Sequence, residues 1–185
     1  MNKEDLNDTF LDMIRSNYRA EKLILKTLPK MIESASYEDL KEVFKKHLEE
    51  TKTQIQKLEA IFQLLGASPK EKRCPGMKGL IKECNKIMDM DYLASALRDA
   101  CLITSAQKIK HYEIAAYGGL SVFVTHLGKA LKNEKFEKIQ QLLHEILQEE
   151  KQADDKLTEL AEGTRRMKGI HEEAEKEIVS CCSKD

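Results

Sequence analysis

Tryptophan is absent from the 185 residues, and proline and glycine are scarce, at 3 and 8. So few turn-formers leave little room for the many tight turns of an all-β fold. Neither sign of charge dominates. The 31 Lys+Arg stand against 32 Asp+Glu, a formal net charge of −1, whereas a nucleic-acid binder usually shows a basic excess. No run approaches the ~18 consecutive apolar residues of a membrane span. The opening MNKEDLNDTF mixes both charges and has no apolar stretch, unlike a signal peptide. The chain is therefore expected in the cytoplasm, binding neither nucleic acid nor membrane. Its five cysteines, Cys74, Cys84, Cys101, Cys181 and Cys182, form no Cys-x-x-Cys pair and read as reduced thiols. The adjacent Cys181 and Cys182 are either a tail detail or a redox or metal feature. A glycine-rich phosphate loop and a Gly-x-Ser-x-Gly motif are also missing, so nothing points to hydrolase or transferase chemistry.

What is present is helical periodicity. Charged residues make up 34% of the chain, and the abundant Leu, Ala, Glu, Lys, Ile and Gln favour helix. A first helix carries Phe10, Ile14, Tyr18, Leu25 and Leu28, with Pro29 expected to kink it or open its last turns. Ser34-Ala35-Ser36 breaks the pattern, and Ser36 with Asp39 reads as a weak capping box. The second helix runs from about Tyr37 to Leu65, where Gly66 is placed to end it. Residues 67–78 form a loop, and Met77 to Met90 hold a short helix. The third long helix begins near Asp91. Gly118-Gly119 interrupts it, suggesting a kink or a close backbone approach, and Gly128 ends it. The fourth runs from about Glu134 to Ala161, stopped by Gly163. Short, long and short connections are those of a ferritin-like four-helix bundle with one long crossover. The expected fold is all-α, with this bundle over residues 1–162 and a charged tail, loosely helical or disordered, over residues 163–185.

Each seam is interrupted by polar residues near mid-helix. Glu21 breaks the first. His47, Glu50 and Gln54 occupy successive turns of the second. Gln107, Lys110, His111 and Glu113 crowd the third, and Glu150 and Asp154 sit between Leu147 and Leu157 on the fourth. Taken singly, each carboxylate reads as a surface ion-pairing group, and His47 or His111 as a satisfied core residue. Periodicity leaves Glu49 and Glu149 as competitors for Glu50 and Glu150. Together the four groups share one depth. Buried carboxylates are costly, and a metal pair held by oxygen ligands from four helices would stabilise them. The stretch Glu49 to Gln54 also echoes Glu149 to Asp154, as two hairpins built on one template would.

The chain resembles the YciE/YciF branch of the ferritin-like superfamily, bacterial stress-associated proteins. The strings that carry the resemblance are Tyr18-Arg19-Ala20-Glu21-Lys22; Leu28-Pro29-Lys30-Met31; His47-Leu48-Glu49-Glu50-Thr51 with Gln54; Met77 to Ile81; Gln107 to Ala115 with Tyr117-Gly118; and Glu149-Glu150-Lys151 with Asp154 and Leu157. The resemblance implies a homodimer and a two-metal carboxylate centre. Its ligand candidates are Glu21, Glu50, Glu113, Glu150 and Asp154, with His47, Gln54 and His111 nearby. The implied cofactor is iron, two ions per chain, with manganese or zinc as other candidates. The chemistry would be oxidation of Fe(II) by O2 or peroxide. Glu50 and Glu113 would bridge, and Glu21, Glu150 and Asp154 would be terminal. Tyr18 would serve as a hydrogen-bond donor or radical quencher.

Two departures stand out. Lys110 replaces a Glu common in related sequences, and Lys52 a His found in some. Thr53 and Ala153 stand where standard di-iron ferritins have the His of Glu-x-x-His. A lysine directed into the site would replace one cation. The alternative is a metal-free helical interaction protein with buried carboxylate–lysine pairs at Lys52, Lys108 or Lys110. A third reading, iron storage, needs a multi-subunit cage.

Overall fold

The computed structural model describes residues 3–90, 92–164 and 167–182. The apolar spacing of the first segment carries one continuous helix, α1 (Lys3–Ser34), through Pro29. Pro29 lies five residues before its end, and the helix continues through it to Ser34. A turn leads into α2 (Glu38–Leu65). Ser36 does not cap this helix. Instead Asp99, fully buried, accepts from the backbone N–H groups of Ser36 and Tyr37 at 2.7–3.0 Å. Gly66 ends α2 as expected, at φ +68°, in the left-handed region that favours glycine.

The crossover contains α3 (Pro75–Met88), with proline in its first turn. Next comes α4 (Ser95–Leu131), 37 residues and so about 55 Å long. Gly118 and Gly119 lie inside it, and an added Cβ at either would meet nothing within 4 Å. The close approach expected there is absent. Gly128 also lies within α4, facing Phe136, and Lys132 provides the left-handed cap. α5 (Lys135–Glu162) follows.

Beyond residue 162 the described residues form a short hairpin and a helix. The two-residue strands β1 (Gly163–Thr164) and β2 (Met167–Lys168) pair antiparallel. Helix α6 (Ile170–Cys182) then packs on α4 and α5, burying Ile170 and Ala174. Glu177 of α6 accepts from the Ala96 N–H at 3.1 Å. The side chains of Cys181 and Cys182 lie outside the described residues. Cys74, Cys84 and Cys101 are free thiols.

The long helices pair as α1 with α2 and α4 with α5, and the hairpins meet through α1–α4 and α2–α5. Asp99 lies beside Ser36 and Tyr117 beside Glu21, so α1 and α4 are antiparallel. Tyr37 meets Asp99 and His47 meets Lys110, so α2 and α4 run parallel, the ferritin-like arrangement. The core is in two parts. One gathers Ile24, Leu28, Phe44, Leu102, Ile103 and Leu157 with α3 and α6. The other gathers Phe10, Ile14, Leu58, Phe62, Leu120 and Ile139. Between them lies a layer of buried polar side chains.

Candidate metal centre

The layer takes one or more residues from each long helix. Glu21 comes from α1. His47, Thr51 and Gln54 come from α2, spaced four and three apart on one stripe. Lys110, Glu113 and Tyr117 come from α4, and Glu150 from α5. All are buried, with Glu21, Lys110, Glu113 and Glu150 only 1–2% exposed.

Lys110 is the hub. Its ammonium donates to His47 Nε2 and to Glu150 Oε2 and lies 2.9 Å from Glu113 Oε2. Gln54 Nε2 donates to Glu150 Oε1 at 2.7 Å. The Tyr117 hydroxyl donates to Glu21 Oε1. Several oxygens in the layer have no hydrogen-bond partner: Glu21 Oε2, Glu113 Oε1, Gln54 Oε1 and Thr51 Oγ1, while Glu113 Oε2 has only its ion pair with Lys110. Buried polar atoms without partners are rare in folded proteins and call for an explanation.

Burial raises the carboxyl of Glu21 to about 8, helped by the charge of Glu150. Burial and Glu150 push Glu113 well above the usual carboxylate range. Glu150 is the exception: burial acts to raise it too, but Lys110 and His47 hold it at about 2. Burial and the Lys110 charge lower His47 to about 3, so the imidazole is neutral and Nε2 accepts. Lys110 would be lowered by burial, yet Glu113 and Glu150 raise it. The Tyr117 phenol is raised well above its ordinary value by burial and by Glu21. Lys110–Glu150 is thus the central ion pair of the layer, and burial favours the protonated forms of Glu21 and Glu113.

Five of the eight sequence candidates meet here: Glu21, His47, Gln54, Glu113 and Glu150. Three do not. Glu50 points away toward Lys46 at 3.1 Å, because the buried stripe of α2 runs through positions 47, 51 and 54. Its competitor Glu49 is more exposed still and pairs with Lys52. On α5 the register falls as expected: Glu150 is inside, and Glu149 pairs with Lys57 at 2.6 Å. His111 is 68% exposed and reaches Asp154 at 3.3 Å, leaving both beside the layer. Tyr18 donates to Glu59 at 2.7 Å, not to a layer residue. The tyrosine that does so is Tyr117, one turn from Glu113; in the sequence it stands among the residues that carry the family resemblance. Of the candidate lysines, Lys52 and Lys108 form exposed pairs with Glu49 and Glu83, and Lys110 alone enters the core.

Residues 5–174 match the family described as "Domain of unknown function (DUF892)". The chain belongs to the DUF892 family. Protein YciF of Escherichia coli K12 is 38% identical over 162 residues, covering 87% of this chain and 93% of that one. The crystal structure of the E. coli stress protein YciF superposes with a TM-score of 0.77 at 37% identity, over 84% of this chain and 93% of that one. YcfI from Rhodopseudomonas palustris gives 0.75 at 39%, over 85% and 94%.

Within this DUF892 chain, ligand atoms of His47, Glu113 and Glu150 lie within 4.8 Å of one another. Imidazole nitrogen with carboxylate oxygen suits iron, manganese or zinc. The unpaired oxygens, Glu21 Oε2 and Glu113 Oε1, are what such an ion would satisfy. By that criterion the donor set fits a divalent transition metal. No described helix is long and apolar enough to cross a membrane.

Proposed function

We propose that this chain is a stress-associated, metal-binding member of its family that holds iron in the buried layer and oxidises Fe(II) with O2 or peroxide. The observation that carries the reading is the convergence of buried Glu21, Glu113 and Glu150 with the imidazole of His47 in one layer, with Glu21 Oε2 and Glu113 Oε1 left without a hydrogen-bond partner. The residues that would hold the ion are Glu21 and Glu113, beside His47 and Glu150, which partner Lys110. A bound iron supplies one-electron chemistry toward dioxygen or peroxide. The protein supplies position and dryness. Tyr117 fixes Glu21 by its hydroxyl, and Gln54 fixes Glu150. The two apolar clusters flank the layer and exclude water. Glu21 and Glu113 release their protons when a cation enters, so uptake strengthens as pH rises.

The test is metal addition to chelator-treated protein. Fe(II) or Mn(II) is expected to bind at about one ion per chain. At a hundredfold excess over Kd it should add about 2.7 kcal/mol of stability, and a chelator should reverse this. Glu113→Ala should abolish uptake, and peroxide added to the Fe(II) form should produce ferric absorbance. No uptake of either metal, with Glu113→Ala leaving the melting temperature unchanged or raised, refutes the reading. It would leave a metal-free bundle neutralised by Lys110.

A further inference from the structure

The three atoms nearest the Lys110 ammonium are His47 Nε2, Glu150 Oε2 and Glu113 Oε2. His47, Glu113 and Glu150 are also the residues whose ligand atoms cluster closely enough to hold one metal ion. Ammonium and metal therefore compete for a single place. The geometry points to Lys110 as a resident cation: its ammonium fills the position enclosed by His47, Glu113 and Glu150, and the chain takes up one divalent ion beside it, against Glu21 and Glu113, rather than two.

Two further observations support this. The first is charge. The layer holds three carboxylates, Glu21, Glu113 and Glu150, and one lysine. Once ionised, the carboxylates carry three negative charges, which one ammonium and one divalent ion neutralise. Two divalent ions beside the ammonium would leave two uncompensated positive charges in a buried layer, which is strongly unfavourable. The second is where the unsatisfied atoms lie. Both oxygens of Glu150 have partners, from Lys110 and Gln54. Glu113 Oε2 faces Lys110, but Glu21 Oε2 and Glu113 Oε1 accept no hydrogen bond. The capacity to bind a cation is thus spent on the Glu150 side and unspent on the Glu21 side.

The inference rests on the layer being a cation site, and the experiment separates the two ideas. Co(II) is added to chelator-treated wild type, Lys110→Ala and Lys110→Gln, and ions per chain are counted by elemental analysis after desalting. Circular dichroism and elution volume check the fold. Wild type is expected to hold one ion and each variant two, with a second set of Co(II) visible bands in the variants. The ion-free variants should melt well below wild type, and Co(II) should restore them. A variant that folds only when refolded with Co(II) supports the same conclusion if it retains two ions. Equal, non-zero counts in wild type and variants overturn the inference. So do two ions in wild type, which leave the metal reading standing. No ions in any form overturn both. None in wild type but one in the variants overturns both the metal reading for the natural chain and the single-ion count inferred here.

Discussion

Glu21 keeps its proton far above the pH at which a free glutamic acid loses it, and this sets a sign for stability. Its carboxyl titrates near 8 in the fold against an ordinary 4.5. Between those values the unfolded chain has released the proton and the folded one retains it. Folding stability therefore falls as pH rises from 4.5 to 8, and the contribution is fully present only below 4.5. Glu113 acts in the same direction. Glu150, held at about 2, and His47, held at about 3, act oppositely. Their contributions are lost as pH falls below about 4.5 and 6.5 respectively. Glu21→Gln keeps an oxygen for the Tyr117 hydroxyl and removes the titration. In chelator, the melting temperature of Glu21→Gln relative to wild type is expected to climb from pH 5 to pH 8. A difference constant with pH would show that Glu21 is ionised in the fold.

Among the elements, the hairpin of β1 and β2 with α6 depends on Gly169. A Cβ there would stand 2.3 Å from the Ala161 carbonyl oxygen and 2.7 Å from the Gly163 nitrogen. Both are backbone atoms and neither can swing aside. Gly169→Ala is expected to cost about 2 kcal/mol, visible as a lower denaturation midpoint, with faster amide exchange in α6. Gly118→Ala, in open space and mid-helix, should be neutral or stabilising by about 1 kcal/mol. The same contrast explains what the sequence could show. Helical periodicity and the Gly66 stop marked α2 and its end, because a helix repeats its apolar face and ends on a left-handed residue. The inward turn of Glu150 was legible for the same reason. Glu50 misled because adjacent residues on a helix differ by 100°, and in α2 the stripe runs through Thr51, which carries no charge to draw the eye. Asp99 was invisible as a cap because it sits more than sixty residues from the turn it satisfies.

For the whole molecule, α6 belongs to the larger of the two apolar clusters through Ile170. A chain ending at Glu162 loses that burial and the Glu177 contact to the start of α4. The loss is about 3 kcal/mol, and the melting temperature should drop by roughly 5–10 °C. An unchanged melting curve would show that the bundle is independent of residues 163–185. The polar layer has a consequence of another kind. Apolar seams tolerate sliding, since one leucine resembles the next. Moving the α4–α5 hairpin by one turn along α2, about 5.4 Å, would carry Lys110 away from His47 and Glu150 away from Gln54, and bury the ammonium against hydrocarbon such as Phe44. The alignment of the two hairpins is therefore indexed like a key with a single notch: the bundle can loosen or unfold, but it cannot settle one turn out of step.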